Sequence, residues 1–185
     1  MISFERRKQD CLKKDDKSSI GDWDKHILNL CEKINKLENY YTLSSCSGRI
    51  VLIKNLEKKQ PGMFIFRSHE KVKFNEIKKA FENYNEKDGL IFKQEQPILH
   101  VACKTMGDAE KMLKNAQLAG FKHSGIISFA ESRIVVEIIG SEQLALPVFS
   151  GKILVDDDFL KILVKESNER LEIGWSKIGK LMKTL

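Results

Sequence analysis

The residues with the greatest capacity for chemistry cluster in Ser44-Ser45-Cys46-Ser47-Gly48-Arg49, which sets three hydroxyls, a thiol and a guanidinium around one glycine. Such residues make poor core and poor helix. They predict a tight loop whose backbone N–H groups, hydroxyls and guanidinium converge on one polar or anionic group. Alone, the segment reads as a phosphate cradle, a thiol site or a simple turn. Four more polar segments punctuate the chain: Asp16 to Gly21, Ser68-His69-Glu70, His123-Ser124-Gly125 and Gly140-Ser141. Gathered at one edge of a sheet they form a cleft for a polar small molecule, a nucleobase or both; otherwise they are turns. His69 beside Glu70 pairs a base with a carboxylate at a strand's end, where sites are common. His100 lies inside an apolar strand, where a satisfied buried histidine is the commoner role.

Several familiar sites are absent. No G-x-x-x-x-G-K-[ST] is present, and no strand runs into G-x-G-x-x-G, so neither a P-loop nor a Rossmann cofactor site is signalled. H-E-x-x-H and G-x-S-x-G are missing too. Cys11, Cys31, Cys46 and Cys103 form no C-x-x-C pair, so free thiols are expected and no metal is implied. Cys46 offers a nucleophile with His69 or His100 as its base, but no signature supports that pairing.

Hydrophobic periodicity supplies the elements that must position these residues. Helical spacing runs over 3–14, 22–37 (Trp23, Ile27, Leu30, Cys31, Ile34 and Leu37 inward, Asp22 as N-cap), 73–84, 105–120 and 156–185. In the fourth helix Thr105 and Asp108 form a capping-box pair, Met106, Ala109, Met112 and Ala116 face inward, and Gly120 ends it. Gly174 and Gly179 are expected to kink or fray the last. Strands are predicted over 49–54, 63–67, 90–92, 98–103, 125–129, 133–139 and 144–148. Within 98–103, His100 shares a face with Ile98 and Ala102, and Cys103 with Leu99 and Val101. Strands and helices do not alternate regularly. The fold class expected is α+β, a single domain over 1–185 with a mixed, curved β-sheet flanked by helices, and not a doubly wound Rossmann sheet.

The composition agrees with an ordinary globular chain: 185 residues, 42% hydrophobic and 31% charged. No apolar run approaches the ~20 residues of a membrane span, and the charged N-terminus lacks a signal-peptide core, so an intracellular, cytoplasmic protein without a membrane partner is expected. The net charge of +6 favours an anionic partner such as nucleic acid.

Set in order, the motifs resemble the tRNA wybutosine-synthesising protein 3 family. Ser44-Ser45-Cys46-Ser47-Gly48-Arg49-Ile50 resembles its hallmark, and Asp16-Lys17-Ser18 with Gly21 and Asp24 its N-terminal motif. Ser68-His69-Glu70, Leu99-His100-Val101-Ala102-Cys103, Ala119-Gly120-Phe121-Lys122-His123-Ser124-Gly125-Ile126 and Val136-Glu137-Ile138-Ile139-Gly140-Ser141 resemble the remaining motifs, and together they span almost the whole chain. Ile20 and Ile139 depart from the pattern, standing where members often carry lysine and arginine. The resemblance implies an S-adenosyl-L-methionine-dependent methyltransferase acting on N4 of the wyosine-type base built from guanosine 37, with the tRNA-Phe anticodon arm as partner, no metal, and a fold that is not Rossmann. It implies His69, Glu70 and, less strongly, His100 as the catalytic groups. It implies Asp16, Lys17, Ser18, Ser44, Ser45, Ser47, Arg49, Ser68, Ser124, Gly125 and Ser141 as contacts to cofactor or RNA. A non-catalytic RNA-binding module and a Cys46 thiol enzyme are the alternatives.

Overall fold

The computed structural model describes residues 3–13, 24–58 and 60–185. In chain order its elements are α1 (Phe4–Leu12), α2 (Lys25–Lys36), β1 (Tyr40–Cys46), β2 (Arg49–Lys54), β3 (Phe64–Ser68), α3 (Phe74–Glu82), β4 (Leu90–Glu95), β5 (Ile98–Cys103), α4 (Met106–Ala119), β6 (Gly125–Ala130), β7 (Arg133–Ile139), β8 (Leu144–Phe149) and α5 (Asp157–Thr184). The class is α+β. Where one mixed sheet was expected, the strands divide into two four-stranded sheets, and every strand pairing among the described residues is antiparallel. The chain falls into two compact units.

The first unit comprises Met1–Ser47, Pro97–Ser141 and Gly174–Leu185, with strand order β1-β5-β7-β6. One sheet face carries Tyr40, Leu99, Val101, Cys103, Ile134, Val136 and Ile138. Ile27, Leu30, Cys31 and Ile34 of α2, Ala109, Met112, Ala116 and Ala119 of α4, and Ile178 and Leu181 of α5 complete this core. Each such aliphatic side chain, fully removed from water, stabilises the fold by about 1.5–3 kcal/mol. On the opposite face Phe4 of α1 packs on Tyr41 and Ala102, with ring centroids of Phe4 and Tyr41 5.2 Å apart. The alternation along β5 therefore holds as expected.

Helix ends follow the local chemistry. Asp24 caps α2, its carboxylate accepting from the His26 N–H at 3.3 Å. Asp22 and Trp23, expected to open this helix, lie outside the described residues, and the cap is Asp24 rather than Asp22. The Thr105–Asp108 capping box opens α4, and Gly120 closes it at φ +103°. Met106 is 42% exposed, against expectation, because it occupies the first helical position, ahead of the packed stripe.

The second unit comprises Gly48–Gln96 and Glu142–Ile173, with strand order β3-β2-β4-β8. Ile50, Val51, Leu52 and Ile53 of β2 are all buried, as four consecutive apolar residues on a central strand should be. Gly62 at φ +77° turns the β2–β3 hairpin. Asn168 of α5 donates to the Val72 carbonyl at 2.8 Å and accepts from the Val72 N–H at 2.9 Å, holding the segment that leads into α3.

Helix α5 runs unbroken for 28 residues, so neither Gly174 nor Gly179 breaks it. Gly174 has a packing reason instead: a Cβ there would stand 2.7 Å from Pro97 Cγ and 2.9 Å from Cδ, in a ring that cannot swing aside. At Gly179 a Cβ would meet nothing within 4 Å. Two substitutions of the same type should therefore differ in sign. Gly179→Ala should stabilise by about 0.5–1 kcal/mol through helix propensity alone. Gly174→Ala should destabilise by about 1–2 kcal/mol, overpacking at Pro97 exceeding that gain. Urea midpoints of the two variants measure the difference.

Candidate active site

The expected loop at Ser44–Arg49 is mostly strand. Ser44, Ser45 and Cys46 end β1, Arg49 begins β2, and only Ser47 and Gly48 lie between. β1 is long here because its backbone pairs with β5: Ser44 opposite His100, Ser45 opposite Leu99, Cys46 opposite Ile98. The register shifts between Thr42 and Ser44, so β1 carries one extra residue there. Without it Leu43 would stand opposite His100 and Ser44 would turn to the core face. Asn35 of α2 braces the irregular stretch, accepting from the Thr42 N–H at 2.8 Å.

The shift creates a row across three strands. Ser44 Oγ lies 2.7 Å from His100 Nδ1, and His100 Nε2 lies 2.9 Å from Glu137 Oε2. Ser44 and Glu137 are the direct cross-strand partners of His100 on either side. Ser44 is exposed, and the side chains of His100 and Glu137 are 26% and 28% accessible. A hydroxyl, an imidazole and a carboxylate in series are groups that can together accept a proton, and the hydroxyl end faces outward. His100 is thus satisfied, as expected of a strand histidine, yet half-buried and within a polar chain. Glu137 escaped sequence reasoning as a site residue. Alternation within its own strand could not place it beside His100, because the pairing of β5 with β7 is not readable from sequence pattern.

The other hallmark residues do different work. Ser45 stands opposite Leu99 yet is exposed, and its hydroxyl reaches the Cys31 thiol, whose pKa burial pushes up despite that contact. Ser47 is fully buried: its N–H donates to Asp24 Oδ2 at 2.6 Å and its hydroxyl to Asp24 Oδ1 at 2.8 Å. Asp24 thereby caps α2 and locks the end of β1 with one carboxylate. Trp175 stacks on His26, the residue two beyond that cap, at 3.7 Å and 6°. Burial pushes the Cys103 thiol up to about 12, so it stays protonated and inert. The Ser124 hydroxyl donates to Phe121 O at 2.9 Å and accepts from Ile139 N–H at 3.3 Å, tying the turn before β6 to β7. Gly125 opens β6 opposite Glu137, and a Cβ there would meet nothing within 4 Å. Ser141 is exposed after β7. Asp16, Lys17 and Ser18 lie outside the described residues.

In the second unit, Arg49 pairs with Glu95, Nε to Oε2 at 2.5 Å, and its guanidinium lies 5.4 Å from the Phe64 ring centre. Ser68 ends β3, and its hydroxyl exchanges hydrogen bonds with the N–H and carbonyl of Glu70, both at 3.0 Å. His69 Nδ1 lies 3.1 Å from the Gly48 carbonyl; that oxygen only accepts, so Nδ1 carries the proton. A shallow groove of about 550 Å³ runs between the α3 start and α5, lined by Lys71, Lys73, Lys161 and Lys165. Lys71 pairs with Glu172, Lys161 with Asp158 and Lys165 with Glu169, so the groove is a surface of matched charges rather than a basic patch. No helix among the described residues is long and apolar enough to cross a membrane.

Comparison with known proteins gives this geometry a lineage. The family model described as "Methyltransferase TYW3" matches residues 6–185. The chain belongs to the methyltransferase TYW3 family. A relative from Archaeoglobus fulgidus is 40% identical over 163 residues, covering 86% of this chain and 81% of its own. One from Thermococcus sibiricus is 36% identical, covering 97% and 92%. Both are named tRNA(Phe) 7-((3-amino-3-carboxypropyl)-4-demethylwyosine(37)-N(4))-methyltransferase. A solved structure of a Pyrococcus horikoshii protein superposes with a TM-score of 0.89 at 32% identity, covering 98% of this chain and 93% of that one. The methyltransferase TYW3 match takes in every described residue of the hydroxyl–imidazole–carboxylate row and of the Asp24 lock.

The lock yields a stability prediction. Asp24→Ala removes an N-cap and strands the buried Ser47 N–H, which together should cost about 2–4 kcal/mol. Asp24→Asn keeps one acceptor oxygen but turns an NH2 toward one of the donors that Asp24 now satisfies, and should cost less than the alanine variant, about 1–2 kcal/mol. Equilibrium denaturation of both variants checks the order.

Proposed function

We propose that this chain transfers a methyl group to N4 of the 7-(3-amino-3-carboxypropyl)-4-demethylwyosine base at position 37 of tRNA-Phe. Its family and the names of its relatives support the reading. The observation in the molecule that carries it is the His100 row, a general base built from Ser44, His100 and Glu137. N-methylation exchanges a proton for a methyl group, so the acceptor nitrogen needs a base in reach. A neutral imidazole facing a carboxylate suits that task, because the carboxylate stabilises the imidazolium that forms. We therefore assign the base to His100 ahead of His69, because the His100 ring faces a carboxylate while His69 Nδ1 faces only the Gly48 carbonyl.

S-adenosyl-L-methionine, the methyl donor in this reading, supplies an electrophilic methyl on a sulfonium. The donor set suits its polar groups. Arg49 offers a part-exposed guanidinium of the kind a carboxylate seeks, and Ser68 a hydroxyl of the kind a ribose seeks. Glu70, exposed beside Ser68, offers the carboxylate that an ammonium seeks. Ser124, Gly125 and Ser141 are assigned to RNA or cofactor through the segments they shape, and Asp16, Lys17 and Ser18 remain proposed contacts. Ser47, fully buried on Asp24, contributes by holding β1 in place, while exposed Ser45 remains a proposed contact. The net charge of +6 suits an RNA partner, here the anticodon arm, whose loop presents base 37 unpaired. A cytoplasmic location follows from that substrate.

The test uses tRNA-Phe from a strain lacking the enzyme, incubated with pure protein and methyl-labelled S-adenosyl-L-methionine. Nucleoside mass spectrometry should show one added methyl at position 37; no mass gain sinks the reading. His100→Ala should lower kcat by about 10²–10⁴-fold while tRNA binding persists. Full turnover in that variant returns the base role to His69.

A further inference from the structure

We infer that Glu137 is a positioning residue that fixes the proton of His100 on Nε2, making the Ser44 hydroxyl the first acceptor of the proton released by the methylated nitrogen. This rests on the methyltransferase reading above. An ionised carboxylate only accepts hydrogen bonds. With Glu137 Oε2 at 2.9 Å, neutral His100 must carry its hydrogen on Nε2. Nδ1 then holds a lone pair, and Ser44, 2.7 Å away, must donate to it. Ser44 Oγ is left with its lone pairs directed elsewhere and is the exposed end of the row. The direction of the whole chain is therefore set at the end farthest from Ser44.

The geometry is hard to obtain by accident. The three residues are direct cross-strand partners, so the ladders of β1, β5 and β7 hold all three backbones in one line. Gly125 extends the same line on β6 and adds no side chain beside Glu137. The β1 register shift is what admits Ser44 to this line in place of Leu43.

In the reaction the ring nitrogen forms a bond to the methyl carbon of a sulfonium donor. The sulfur–carbon bond breaks with its electron pair on sulfur, leaving a thioether. The proton on the ring nitrogen passes to Ser44 Oγ as the proton of Ser44 passes to His100 Nδ1. The imidazolium so formed faces the Glu137 carboxylate and returns its extra proton to solvent through the half-exposed ring.

The test reads the tautomer and the rate separately. The chain has four histidines. In the ¹⁵N-labelled protein, long-range proton–nitrogen spectra resolve each tautomer, and His100→Asn assigns the His100 signals. The wild type should show His100 protonated on Nε2. In Glu137→Gln the amide both donates and accepts, so His100 should populate both tautomers and kcat should fall about 10–100-fold with KM little changed. Glu137→Asp keeps an acceptor-only group and should retain the Nε2 tautomer and recover part of kcat. Ser44→Ala should keep the tautomer yet lose kcat to a similar degree. An unmoved tautomer in Glu137→Gln, or wild-type kcat in Ser44→Ala, overturns the relay while wild-type methylation stands. Failure of the wild type to methylate tRNA-Phe overturns the functional reading itself.

Discussion

One extra residue in β1 governs which side chains meet at the centre of the first sheet. A strand presents alternate side chains to alternate faces, so a shift of one position exchanges the two sets. Between Thr42 and Ser44 the register slips, and from there on Ser44 and Cys46 share the His100 face while Ser45 turns toward Cys31. An unshifted strand would set Leu43 rather than Ser44 against the His100 imidazole. The irregularity costs ladder regularity, which the Asn35 amide offsets by taking up the Thr42 N–H.

The Asp24 carboxylate works on the same strand from its other end. It accepts from His26, from the Ser47 backbone and from the Ser47 hydroxyl. A short polar contact therefore sets where β1 ends and where α2 begins. Around it the packing is tight: Gly174 lies against Pro97, and the plane of Trp175 lies on His26. Ser44, His100 and Glu137 thus stand on braced strands, which suits the proton path proposed for them.

Much of the fold was legible because local rules agreed with one another. The α4 capping box and its closing glycine, the four consecutive apolar residues of β2 and the alternation along β5 each follow from spacing alone. The hallmark segment misled because small hydroxyl residues beside a glycine are turn residues. A neighbouring strand pairs with their backbone regardless of side chain, and that pairing overrode propensity. The division into two antiparallel sheets was unreadable for a related reason: period-two patterning shows that a strand exists but not which strand lies beside it.

The sequence by itself determined the element types, most of their limits, the α+β class and, through its ordered motifs, the family. It also supplied the groups that do chemistry, since a histidine or a serine is what it is in any fold. Tertiary structure decided which of those groups act together. Ser44, His100 and Glu137 are separated by 56 and 37 positions in the chain and touch only because β1, β5 and β7 lie side by side in one register. Hydrogen bonds reach about 3 Å, and here it is strand pairing that brings these residues, distant in sequence, within that range.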